Sequence, residues 1–198
     1  MTLGRYPTEY WETNTLAEHV SLIRKQATKS VRDPETRKLA KAIVAGEATS
    51  AWGKPTQPNR AAACDSDGCV SQAIWDFTVQ NIAYVPDPPE YDLFKTLKVT
   101  LLGGTLDADG RRFDALPGTG DCDDFVIAMA ALHRALGWTN VKARVVSVGG
   151  KRWEHIYLLV GFPRTGAVST WVPYDPTVKG AVPGWEYSKI REFADFDM

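Results

Sequence analysis

The chain has no excess charge of either sign, with 23 Lys and Arg against 24 Asp and Glu and a net charge of −1. That balance gives no basis for a nucleic-acid or anionic-membrane partner, because both recruit a basic face. Long apolar runs are missing too. No stretch approaches bilayer length, and Met1–Trp11 lacks the apolar core of a signal peptide. The expectation is therefore a cytoplasmic chain with no membrane partner. Cysteine is scarce and odd in number, three in all, so at least one thiol stays outside any disulfide. There are no internal repeats, no low-complexity tracts and no cofactor fingerprint, and no cofactor is expected.

What remains is an ordinary globular composition, 44% hydrophobic and 24% charged, which argues against wholesale disorder. A length of 198 residues fits one domain, read here as an N-terminal helical appendage over 1–50 followed by a catalytic domain over 51–198. Leu16, Val20, Ile23 and Ala27 recur at helical spacing, with Asn14 or Thr13 as possible caps. Asp33-Pro34-Glu35 reads as an N-cap, a first-turn proline and an acid at the positive helix end, opening a second helix that stops at Gly46. The two helices are expected to form a hairpin. Gly53–Gly68 and Gly103–Gly120 read as irregular stretches, and Val70–Asn81 as a helix leading into the extended, proline-rich Ile82–Pro89.

Cys122 opens the strongest helix, with Phe125, Met129, Leu132 and Leu136 on one face and Gly137 as its stop. Val141–Val148, His155–Val160 and Thr170–Tyr174 follow as strands. A helix followed by closely connected strands predicts an α+β fold, the helix packed on an antiparallel sheet.

Gly120-Asp121-Cys122-Asp123-Asp124, Glu154-His155-Ile156-Tyr157 and Trp171-Val172-Pro173-Tyr174-Asp175-Pro176 supply, in order, a thiol at a helix start, an imidazole and a carboxylate. These are the parts of a Cys-His-Asp nucleophilic site. His155 at the start of one strand and Asp175 at the end of its antiparallel neighbour fall at the same sheet edge. In this reading Cys122 is the nucleophile, His155 moves the proton, and Asp175 fixes the imidazole tautomer, while the Cys122 backbone N–H faces the oxyanion. The helix end and an adjacent imidazolium are expected to pull the thiol below its usual pKa of about 8.5. Asp121, Asp123 and Asp124 oppose that pull, and one of them is expected to cap the helix or hold a nearby cation.

Gln80, Gln72 and Trp75 are side-chain candidates for the oxyanion site, and Trp153 and Trp171 for a substrate rim. Cys64 and Cys69 are weak metal or disulfide candidates, since four ligands at recognised spacing are absent. Asp107-Ala108-Asp109-Gly110 reads as a turn. His133, beside Arg134, reads as a surface or interface residue, and His19 as structural.

Several ordered blocks across Val70–Val178 resemble the transglutaminase-like cysteine hydrolase superfamily, particularly its small bacterial and phage-borne members. Besides the three motifs above they include Trp75-Asp76-Phe77, Ile82-Ala83-Tyr84-Val85-Pro86-Asp87-Pro88 and Leu132–Gly137 with Ala143-Arg144-Val145-Val146. The resemblance implies a papain-like core and a triad at Cys122, His155 and Asp175. It implies a protein or peptide substrate, in a bacterial host or producing cell. Within it, a cysteine peptidase working through a thioester is the leading expectation. A transglutaminase and a catalytically silent phage or virion assembly protein are the alternatives. Leu101–Gly118 is longer than that resemblance implies and reads as a lid or substrate rim. Substrate specificity and oligomeric state are not written in these motifs.

Overall fold

Thr15, rather than Asn14 or Thr13, starts the first helix of the computed structural model, which describes residues 9–10, 15–52, 54–56, 63–87, 92–102, 118–149 and 153–198. Its hydroxyl accepts the Glu18 N–H while the Glu18 carboxylate accepts the Thr15 N–H, a reciprocal cap of α1 (Leu16–Arg32). Asp33 ends α1 and caps α2 (Pro34–Ala45), accepting the Glu35 N–H at 3.0 Å. Gly46 closes α2 with φ 72°, a conformation that suits glycine. Trp52 Nε1 donates to the second Asp33 oxygen at 2.8 Å, tying the joint between the helices to the strand that follows them.

Five helices and a four-stranded antiparallel sheet among the described residues make the protein α+β. Helix α3 (Asp67–Asn81) is capped by Ser66 and so begins before Val70, and α4 (Leu97–Leu102) is short. Helix α5 (Cys122–Ala135) is almost wholly buried and carries the centre of the core from Phe125 to Ala135. The main sheet has the order β10-β7-β8-β9, from β7 (Val141–Ser147), β8 (His155–Phe162), β9 (Thr170–Tyr174) and β10 (Glu192–Asp197). One sheet face packs on α5. The other buries Val146, Tyr157 and Leu159 under Trp171, Tyr187 and Ile190.

Val20, Ile23 and Ala27 of α1 and Leu39, Ala40 and Ile43 of α2 belong to the same core as α5 and the sheet. Burying such side chains stabilises by roughly 1.5–3 kcal/mol each, so the first two helices are held by the main core. Within the stretch expected to be irregular from Gly53, β3 (Lys54–Thr56) instead pairs with β2 (Thr49–Ala51) in a small hairpin. Residues 103–117, including Asp107–Gly110 and most of the expected lid, lie outside the described residues.

One short ladder places the motif around Cys122. Strand β4 (Ile82–Tyr84) runs parallel to β6 (Gly118–Gly120), with Tyr84 opposite Gly120. A Cβ on Gly118 would sit 2.2 Å from the Thr100 oxygen, and one on Gly120 would sit 2.5 Å from the Asp124 Cβ. Both glycines are therefore required by close approach. No helix among the described residues is long and apolar enough to cross a membrane.

Candidate active site

Cys122 occupies the first position of α5, so helix geometry leaves its N–H without an intrahelical acceptor. Its sulfur accepts the backbone N–H groups of Ile156 and Asp123. Ile156 follows His155 directly, so the thiol sits against the start of β8. Cys122 and His155 line one cavity of about 370 Å³, with Trp153, Asp121, Asp123 and Val145.

Across the edge of the sheet, His155 Nε2 lies 2.7 Å from Asp175 Oδ2. Leu158 pairs with Tyr174 in the β8–β9 register, which brings the residue after β9 back beside the start of β8. Asp175 is 2% exposed. Its second oxygen accepts the Thr177 N–H at 3.2 Å and the Thr177 hydroxyl at 2.6 Å. A buried carboxylate with every oxygen occupied is held in one orientation, and Nε2–H is the hydrogen it accepts from the ring. That leaves Nδ1 as the basic nitrogen.

The structure differs from the sequence-based expectation on the thiol itself. Burial pushes the Cys122 thiol well above its ordinary pKa, and Asp123 and Asp121 push it further. The two N–H bonds pull it down without prevailing. The resting form is a neutral thiol. Burial, which no local motif displays, outweighs the helix end.

The acids around Cys122 divide into two pairs. Lys95 Nζ reaches Asp124 Oδ2 at 2.5 Å and Asp87 Oδ1 at 3.4 Å, and the Lys95 N–H also donates to Asp124. Asp124 is the acid that holds a nearby cation, as one of the three was expected to. Burial lifts its carboxyl to about 7 against the pull of Lys95. Asp87, Asp121 and Asp124 are close enough to share a metal ion, yet Lys95 already bonds two of them. Asp121 and Asp123 are bonded to each other, and each keeps one buried oxygen without a partner.

The oxyanion candidates do not line this cavity. Gln72 donates to Asp76 at 2.8 Å on the exposed side of α3, Gln80 is exposed near the end of that helix, and Trp75 packs edge-on against Tyr174 in the core. Of the rim candidates, Trp153 lines the cavity, whereas Trp171 does not. Trp171 pairs with Gly161, six residues along β8 from His155 and so ~20 Å away. Cys64 and Cys69 are not joined in a disulfide. His133 is the clearest correction: it is fully buried, its Nδ1 2.8 Å from the Met129 oxygen and its Nε2 2.8 Å from Ser71 Oγ. Its partner is 62 residues away, invisible to local pattern.

Three further residues meet the site. Tyr84, half-exposed, has its phenol pKa raised by burial, to which the nearby Asp121 adds. Tyr187 meets the His155 ring edge-on at 5.7 Å, its own pKa pushed up to about 12 by burial and by Asp175. His19 reaches the cavity from α1, its Nε2 3.8 Å from Asp123 Oδ2 and its Nδ1 3.5 Å from Asp92. The extended run ending in Tyr84 was a signal for the first; nothing local marked the other two.

No protein-family model, curated protein or solved structure matches this chain.

Proposed function

We propose that the protein is a cysteine hydrolase acting on amide bonds through Cys122, His155 and Asp175, with a papain-like, transglutaminase-like core and a peptide or protein as substrate. The observation that carries this reading is the 2.7 Å His155–Asp175 bond at the same strand start that donates an N–H to the Cys122 sulfur.

The resting thiol is neutral, so its proton moves during attack. As sulfur adds to the acyl carbon, Nδ1 of His155 takes the proton, and Asp175 stabilises the imidazolium through Nε2–H. The negative charge that develops on the acyl oxygen is met by the Cys122 N–H at the head of α5. Collapse expels the amine, which leaves with the proton from His155, and a thioester remains. Water, deprotonated by the same nitrogen, then releases the carboxylic acid and restores the thiol. A primary amine in place of water would make the reaction a transfer.

A silent binding role is the second reading, favoured by the half-buried, neutral thiol. Incubation of the wild-type protein and Cys122→Ala with a proteome-derived peptide library, with and without a primary amine, separates the three. New peptide termini that depend on Cys122 support hydrolysis. Amine-tagged glutamines replace it with transfer, and an unchanged library in both proteins defeats the enzymatic reading.

A further inference from the structure

Strands β9 and β10 lie at opposite edges of the main sheet, so the chain between them has to cross it. Residues 175–191 do so as a strap without helix or strand, over the face that carries Val146, Tyr157 and Leu159. Backbone bonds tie it at two points, the Gly184 N–H to the Pro173 oxygen and the Arg191 N–H to the Ser147 oxygen. Between those points Glu186 bonds to the sheet.

Asp195, Arg144 and Tyr157 form one cross-strand row over β10, β7 and β8, since Arg144 pairs with both of the others. Facing positions of an antiparallel ladder put their side chains on one face. The Arg144 guanidinium holds Asp195 and also donates to Glu186 Oε1 at 2.8 Å, and the Tyr157 hydroxyl donates to the same oxygen at 2.6 Å. Glu186 is thus clasped by two donors that the sheet has already placed. The next residue, Tyr187, packs on Val146, Tyr157 and Leu159, with Trp185 against it at 4.8 Å, and meets the His155 ring at 5.7 Å beside Asp175. His155 and Tyr157, two apart on β8, share this face, their rings 6.1 Å apart. Under the two tyrosines the His155 side chain is 12% exposed and that of Asp175 2%.

We propose that Glu186 and Tyr187 are positioning residues for the His155 imidazole: the clasp on Glu186 holds Tyr187 over the His155–Asp175 hydrogen bond and keeps water from it. Water competes for both the Nε2–H and the carboxylate, and its exclusion strengthens a charge-assisted bond by lowering the local dielectric. With Nε2–H committed to Asp175, the ring cannot turn over, and Nδ1 stays the nitrogen that is free to take a proton.

Because Arg144 grips β10 through Asp195 as well, the setting of the imidazole depends on the edge strand too. That His155 moves a proton rests on the acyl-transfer reading; that it is covered and held does not.

The test follows the His155 Nε2–H by proton NMR of the full-length protein carrying 15N-labelled histidine, the resonance being assigned by its absence from His155→Gln. In the wild type this hydrogen should appear downfield and exchange slowly with water. Tyr187→Ala should speed the exchange at least about tenfold, as the weakening of a charge-assisted hydrogen bond implies. Tyr187→Phe should leave it slow, because the ring and not the hydroxyl supplies the cover. Glu186→Ala changes an exposed side chain and should act like Tyr187→Ala, which keeps the proposal testable if the latter fails to fold. On the best library peptide both alanine variants should lower kcat about tenfold at a KM close to wild type, with Tyr187→Phe near wild type in both. Exchange that is already fast in the wild type, or unchanged in both alanine variants, overturns the proposal. So does a Tyr187→Phe protein as impaired as Tyr187→Ala. Slow exchange that depends on Glu186 and Tyr187, in a protein that cleaves nothing, would keep the cover and reject the hydrolase. Cleavage with exchange indifferent to both residues would do the reverse.

Discussion

Asp175 holds His155 at 2.7 Å with one carboxylate oxygen while Thr177 occupies the other through both its N–H and its hydroxyl. The imidazole is therefore oriented by a group that is itself clamped. Asp175→Asn can present an N–H to the ring and favour the wrong tautomer. It is expected to lower kcat on the order of 10³- to 10⁴-fold. Thr177→Val removes one hydrogen bond of about 1 kcal/mol and should lower kcat about fivefold. Steady-state kinetics on the best library peptide, with circular dichroism as a folding control, measure both.

The neutral thiol gives a second expectation. Iodoacetamide should label Cys122 slowly at pH 7, as read by peptide mapping that separates it from Cys64 and Cys69. Asp121→Asn removes a negative charge beside the sulfur, so thiolate forms more readily and the labelling profile moves to lower pH. An unchanged profile would mean that Asp121 does not act on the thiol.

His133 governs stability rather than chemistry. Burial lowers its pKa from 6.5 to about 4, so the folded protein keeps it neutral where the unfolded chain takes up a proton. Its contribution is present above pH 6.5 and is lost as pH falls from there toward about 4, roughly 3 kcal/mol in all. Urea unfolding at pH 7 and pH 4.5 should register most of that loss. His133→Leu should flatten the slope while lowering stability at pH 7, because Ser71 and the Met129 carbonyl each lose a hydrogen bond.

Among the described residues, Lys95 is the only cation bonded to Asp124, whose side chain is fully buried. Lys95→Met would leave that carboxylate in the core with backbone N–H donors but no countercharge, at an expected cost of about 3–5 kcal/mol in thermal or urea unfolding. Lys95→Met combined with Asp124→Asn should recover part of it.

Much of this architecture could be read from the chain. Asp33-Pro34-Glu35 and Gly46 marked both ends of α2, and the strand order placed His155 beside Asp175, because caps and antiparallel register are local rules. Strand β10 was not anticipated: Glu-Phe-Ala-Asp-Phe-Asp puts acids at an exposed edge, and its place beside β7 is fixed by Arg144, whose guanidinium clasps Asp195 at 2.7 and 2.9 Å. Likewise His19 and His133 take their meaning from residues more than sixty positions away. The sign of the acids' effect on Cys122 was legible, but its weight against the helix end depended on burial.

Asp33 ends one helix with its N–H, begins the next with one carboxylate oxygen and receives the indole of Trp52 with the other, so three elements articulate on a single residue. The first of those helices carries Thr15, Leu16 and His19, which form one wall of the cavity beside Cys122. The joint therefore works as a fulcrum. A substitution at Asp33 is therefore expected to shift the position of that wall without altering Cys122 itself.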